Sequence, residues 1–127
     1  MPTKVLEGSQ CKGWLGKDGI MRLTYEANAQ IGLGDTKNNI QLLGTLLGRE
    51  KRPLLMCVKQ IQSIDQESGD YLFNKGSKML SAVALIVESA ASKMIGDFLL
   101  GLNKSVLPAK LFTSKTEALL WLAEFVE

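Results

Sequence analysis

The sequence predicts an α/β domain in which an antiparallel hairpin opens a mostly parallel mixed sheet, in the order β-β-α-β-α-β-α-β-α. Three observations carry that prediction. PLLMCVKQ (53–60) and SAVALIVES (81–89) are nearly unbroken apolar runs, the pattern of strands covered on both faces. Stretches with apolar residues at helical spacing separate and follow them. Near the N-terminus, Asp18-Gly19 divides two strand-like runs and supplies the positive φ of a tight hairpin turn. Buried strands alternating with helices imply helical crossovers, and therefore parallel neighbours.

Each element has a local reason. In the hairpin CKGWLGKDGIMRLTYE (11–26), Met21, Leu23 and Tyr25 alternate with Ile20, Arg22 and Thr24, giving one apolar and one mixed face. Residues 1–10 before it carry no periodic signal and are expected to be a loose N-terminal segment of a single domain spanning 1–127. The first helix lies in GLGDTKNNIQLLGTLLGREKRP (32–53). Asp35 is its expected N-cap, and Ile40, Leu43 and Leu47 form its apolar stripe, widened by Leu42 and Leu46. Gly48 closes it, Arg49, Lys51 and Arg52 follow at the negative end of the helix dipole, and Pro53 enforces the stop. A second helix is expected from about Gln66 to Leu80, with Leu72, Met79 and Leu80 inward. A third occupies ASKMIGDFLLGLNK (91–104), with Ile95, Phe98, Leu99 and Leu102 at helical spacing. VLPAKLFT (106–113) is the last strand. Ser114 and Glu117 then form an S-x-x-E capping box for KTEALLWLAEF, whose Leu119, Leu122 and Phe125 face inward.

Composition excludes several function classes. The 127 residues are 46% hydrophobic and 22% charged, so one ordinary globular core is expected and long disorder is not. A net charge of +2 with dispersed basic residues, and no recognition motif, argues against nucleic acid as a partner. Histidine is absent, which removes the commonest general base and the commonest neutral metal ligand. Cys11 and Cys57 lack C-x-x-C spacing and read as reduced thiols, with Cys57 a small core residue, so no metal and no cofactor are expected. The start of the chain has no apolar signal region, and no stretch approaches 18 apolar residues. A cytoplasmic protein without a transmembrane segment is the expectation.

Three phrases, PLLMCVKQIQSIDQESGDYL, ALIVESAASKMIGDFLLGLNK and PAKLFTSKTEALLWL, resemble the small bacterial proteins described as STAS/SEC14 domain-containing, related in fold to the anti-sigma factor antagonist SpoIIAA. The resemblance runs from about Trp14 to Phe125 and implies a SpoIIAA-like fold, shared by STAS domains and lipid-carrying SEC14 domains. It also implies a place to look for a switch. In phosphorylatable STAS antagonists a strand ends in a D-S-[ST]-G turn, with the acceptor serine at a helix N-terminus, where backbone N–H groups favour the added charge. Here Gln66 follows Asp65, and glutamine takes no phosphate. Sliding the motif onto Ser68-Gly69 puts Glu67 at the acceptor position, as a fixed negative charge, and leaves Ser68 as a candidate acceptor in the first turn. The plainer reading is that Asp65 caps the helix and Glu67 is an acidic first-turn residue.

Other motifs carry less. GLGDT (32–36) has a G-x-G before a helix but neither the third glycine of a dinucleotide fingerprint nor a G-K-[ST], so a loop and cap is the reading. Asp65, Glu67 and Asp70 cluster without any nucleophile or histidine, so no catalytic set is expected. The third helix is apolar over more of its circumference than one core stripe needs. Met94, Ile95, Phe98, Leu99 and Leu102 are therefore candidates for a dimer or partner face, or for the wall of an apolar ligand pocket, beside burial between sheet and neighbouring helix. The expected function is a non-enzymatic regulatory or protein-interaction module, with a protein partner or self-association. The alternative is a small carrier of an apolar, lipid-like molecule.

Overall fold

A computed structural model describes residues 5–126. The elements run β1 (Leu6–Glu7), β2 (Cys11–Leu15), β3 (Met21–Tyr25), β4 (Ala29–Ile31), α1 (Leu33–Leu47), β5 (Arg52–Cys57), β6 (Ile61–Ile64), α2 (Gln66–Met79), β7 (Leu80–Ile86), α3 (Ala90–Gly101), β8 (Ala109–Phe112) and α4 (Lys115–Ala123). Six strands form one sheet in the order β1-β2-β3-β5-β7-β8, while β4 and β6 form a separate two-stranded ribbon. The β1–β2 and β2–β3 pairs are antiparallel, and β3–β5, β5–β7 and β7–β8 are parallel. The expected α/β class, opening hairpin and mostly parallel sheet are all present.

Alternation along the strands divides the interior in two. Met21, Leu23, Leu54, Met56, Val83 and Leu85 face a large core closed by Ile40, Leu43 and Leu47 of α1, Leu72 and Phe73 of α2, and Leu99 of α3. Ile20, Leu55, Ala82, Ala84 and Ile86 face a smaller one closed by Ala118 and Leu122 of α4, with Trp121 and Phe125 packed at its margin. The two alanines on β7 let α4 lie close to the sheet. That helix reaches β5, β7 and β8. Trp14, Arg22 and Thr24, which alternate with inward-facing neighbours on β2 and β3, project from the half of this face beyond those strands.

Several expectations are corrected. Residues 1–10 are not uniformly loose: Leu6 and Glu7 pair with Gly13 and Lys12. Residues 1–4 lie outside the described residues. The following turn is tied to α1, where Ser9 N–H donates to Asn39 Oδ1 at 2.7 Å and Asn39 Nδ2 returns a bond to Ser9 O at 3.1 Å. Gly8 is required there, because a Cβ would sit 2.5 Å from Asn39 Oδ1. Helix α1 begins two residues before the expected cap: Gly32 is the N-cap, and Asp35, at the third helical position, reaches back to accept the Gly32 N–H at 2.9 Å. Cys57 is half-buried, and Cys11 is the fully buried thiol. The strands β1, β4 and β6 add to the expected five; two of them are only two and three residues long, and β6, IQSI, is half polar.

Both glycines expected at turns take positive φ. Gly48 ends α1 with φ +67°, and Gly19 turns the hairpin with φ +82°. Of the capping box expected at α4 one half is present: Ser114 Oγ accepts the Glu117 N–H at 3.2 Å. Among the described residues no helix is long and apolar enough to cross a membrane, and no group of three or more Asp, Glu or Cys side chains is placed to hold a metal ion.

Candidate functional site

The second helix starts where the sequence places it. Asp65 is extended (φ −85°, ψ 164°) and its Oδ1 accepts the Ser68 N–H at 2.8 Å, so it is the N-cap. The main chain is fixed from the other side by Asp65 N–H donating to Ile31 O at 3.2 Å, which extends the β4–β6 pairing into the cap. Gln66 and Glu67 are exposed in the first turn.

Ser68 is not exposed. Its relative accessibility is 0%, and its Oγ accepts a hydrogen bond from Thr36 Oγ1 at 2.9 Å, joining α1 to α2. The first-turn acceptor considered from sequence is therefore sealed inside the helix pair, and a kinase would have to open that contact to reach it. Asp65, Gln66 and Glu67 form the exposed corner, and Ser68 belongs to the packing beneath.

The five apolar residues of α3 also divide. Leu99 is 0% exposed in the main core, and Ile95 and Leu102 are half-buried against it. Gly69 of α2 makes this approach close: a Cβ there would lie 2.4 Å from Leu102 Cδ1 and 3.2 Å from Leu99 Cδ2. Met94 and Phe98 remain outside, 73% and 41% exposed, and their i, i+4 spacing puts them on one side of the helix. The start of α3 is capped reciprocally: Ser89 Oγ accepts the Ser92 N–H at 3.1 Å while the buried Ser92 Oγ accepts the Glu88 and Ser89 N–H groups at 2.8 and 2.9 Å.

Beside Met94 lies an open hollow of about 550 Å³, bordered by Met94, Ile95 and Ala91 of α3, Ile61 and Gln62 of β6, and Asn28. It lies past the carboxyl ends of β3 and β5, where open α/β sheets present their ligand crevices. Sequence reading missed the β6 side of this hollow. Asn28 was missed too, although asparagine is one of the few residue types that tolerates the φ of +60° it adopts.

Burial pushes the Cys11 thiol up to about 12, and burial raises the Tyr25 hydroxyl above its ordinary value. A hydrogen bond from the Ser9 hydroxyl, helped by the Gly32 N–H, holds the Asp35 carboxyl below the usual carboxylate range.

The arrangement of strands and helices is similar to that of an uncharacterised DUF3478-family protein with a SpoIIAA-like fold from Shewanella loihica PV-4. The two share 16% identity over 95% of this chain and 92% of that one, with a TM-score of 0.61. A protein of unknown function from Arthrobacter sp. FB24 is 29% identical over 87% of this chain and 97% of the other, with a TM-score of 0.35. No curated protein matches the chain. The fold is thus SpoIIAA-like, and since the model of a domain of unknown function, DUF7793, matches residues 14–126, the chain belongs to the DUF7793 family.

Proposed function

We propose that this domain is a non-enzymatic interaction module of STAS type, which docks a protein partner on the outer side of α3 next to the exposed corner of α2. The observation that carries this reading is the pair Met94 and Phe98, held in solvent on a helix with a reciprocal cap. Two exposed apolar anchors beside polar residues are the usual makeup of a small interface centre. Together they offer on the order of 200 Å² of side chain, well short of the ~800 Å² per partner of a standard stable interface. A transient heterologous contact fits that area better than an obligate dimer. Gln66 after Asp65, and the closed Ser68, make this a module without the phosphoacceptor of the STAS antagonists it resembles.

The alternative is carriage of an apolar molecule, as in SEC14 domains. The hollow beside Met94 has the volume of a ligand site but is open and bordered by Asn28, Gln60 and Gln62, which suits a wet surface contact better than a lipid tail. Affinity capture from the host, followed by native mass spectrometry, tests both readings. A stoichiometric partner should be held by the wild type and by the control Leu120→Glu, which alters an exposed leucine of α4, and should be lost with Met94→Glu/Phe98→Glu. Equal retention by all three overturns the docking face. A co-purifying apolar molecule of a few hundred daltons turns the assignment to the carrier.

A further inference from the structure

On the far side of the sheet, beside the first turn of α4, lies a second hollow of about 160 Å³ that the docking face does not include. Two rows of side chains across the strands build it. Trp14, Arg22 and Leu55 form one row, with Arg22 paired to Trp14 and to Leu55; Thr24, Cys57 and Ile86 form the next. Leu55 and Ile86 are almost fully buried, so the bottom is apolar, and the half-buried Trp14 indole makes a wall. Lys59, just after β5, and Lys115, the first residue of α4, complete the rim.

Every charged side chain lining this hollow is a cation. Arg22 is already matched, its guanidinium forked onto Asp18 at 2.5 and 2.9 Å outside the lining. Lys59 and Lys115 enter no ion pair among the described residues. Lys115 moreover stands at the positive end of the α4 dipole, where a cation is locally unfavourable and an anion is favoured. A void of this size takes one benzene ring, and an indole face or edge favours an aromatic neighbour. We propose that this hollow binds a single-ring aromatic carboxylate, with the ring against Trp14, Leu55 and Ile86 and the carboxylate between Lys59 and Lys115.

The test is a titration of the whole protein with benzoate, followed by amide and indole N–H shifts in ¹H–¹⁵N spectra. Saturable shifts should concentrate on the Trp14 indole and on Thr24, Cys57 and Lys115. Affinity should fall at least tenfold for benzamide, which keeps the ring and loses the charge, and for Lys59→Gln/Lys115→Gln, two surface changes that leave both cores intact. A second readout is chemical: bound benzoate should slow alkylation of Cys57 by iodoacetamide severalfold, while buried Cys11 stays unreacted throughout. Benzamide binding as tightly as benzoate overturns the proposal, as does an unchanged affinity in the double variant. Acetate, inorganic phosphate or an acidic peptide shifting the same groups as strongly as benzoate also overturns it, by removing the ring from recognition.

Discussion

Ser68 shows how much one side chain's environment decides. A serine in the first turn of a helix is ordinarily tolerated on the surface, yet here its hydroxyl is enclosed and bonded to Thr36. Removing it leaves the Thr36 hydroxyl without that partner, so Ser68→Ala should cost about 1–2 kcal/mol. Ser68→Asp puts a charge into the same closed space and should cost about 3 kcal/mol or more, with no gain of a switched state. Urea unfolding of the three proteins checks this. Near-wild-type stability of Ser68→Asp would mean that the α1–α2 contact opens readily and would restore the serine as a site of modification. Asp65 as a cap was legible because Asp before an S-G helix start has a local meaning. The burial of Ser68 was not, since it depends on α1, 32 residues away in sequence.

Among the elements, the start of α1 and the middle of α3 carry distinct predictions. Asp35 joins the Gly32 N–H, the Ser9 hydroxyl and Gln10 Nε2, so one carboxylate ties the β1–β2 turn to the helix. Asp35→Ala should cost about 1 kcal/mol at neutral pH. Because the folded-state pKa of Asp35 is depressed, that contribution is fully present above the unfolded value, near 3.9, and is lost as pH falls through the folded one. Wild type and variant should therefore draw together in stability as pH falls below about 3.9, and a gap that stays constant on acidification would contradict the assignment. In α3, a Cβ on Gly96 would meet Leu111 Cδ2 at 2.6 Å and the stiff Val87 Cγ1 at 3.0 Å. Overpacking costs about 1–3 kcal/mol, more than the ~1 kcal/mol that alanine gains over glycine in a helix. Gly96→Ala should lower the thermal midpoint by a few degrees in calorimetry.

For the molecule as a whole, the large core, which holds both Cys11 and Tyr25, sets the response to alkali. The Cys11 thiol titrates near 9.0 when unperturbed and about 12 in the fold, and Tyr25 is raised too. Groups with raised folded-state values contribute stability that is complete below the unfolded pKa and lost as pH rises above it. Each can remove up to about 1.4 kcal/mol per pH unit across its window. Between pH 8 and 10.5 the wild type should lose about 1–2 kcal/mol more than Cys11→Ala, measured as the shift in urea midpoint. Parallel losses in the two proteins would show that the thiol is already open to solvent in the native state.

The residues read in order were enough for the α/β class, the opening hairpin at Asp18-Gly19, the apolar strands within 53–60 and 81–89, and the caps at Asp65 and Ser114. Each of these is a local pattern, a turn dipeptide, an apolar run or a capping residue, whose physics acts within a few residues. It took the folded chain to show that Leu6–Glu7 is a strand, that β4 and β6 pair apart from the main sheet, and that Cys11 is the buried thiol. The folded chain also shows that Leu99 is core while Met94 and Phe98 are surface, and that α4 leaves Trp14, Arg22 and Lys59 around an open hollow. The reason is common to all of them. Short strands gain their hydrogen bonds, and side chains their burial, from partners distant in sequence, and an apolar helix does not reveal from its own residues which of its sides those partners will cover.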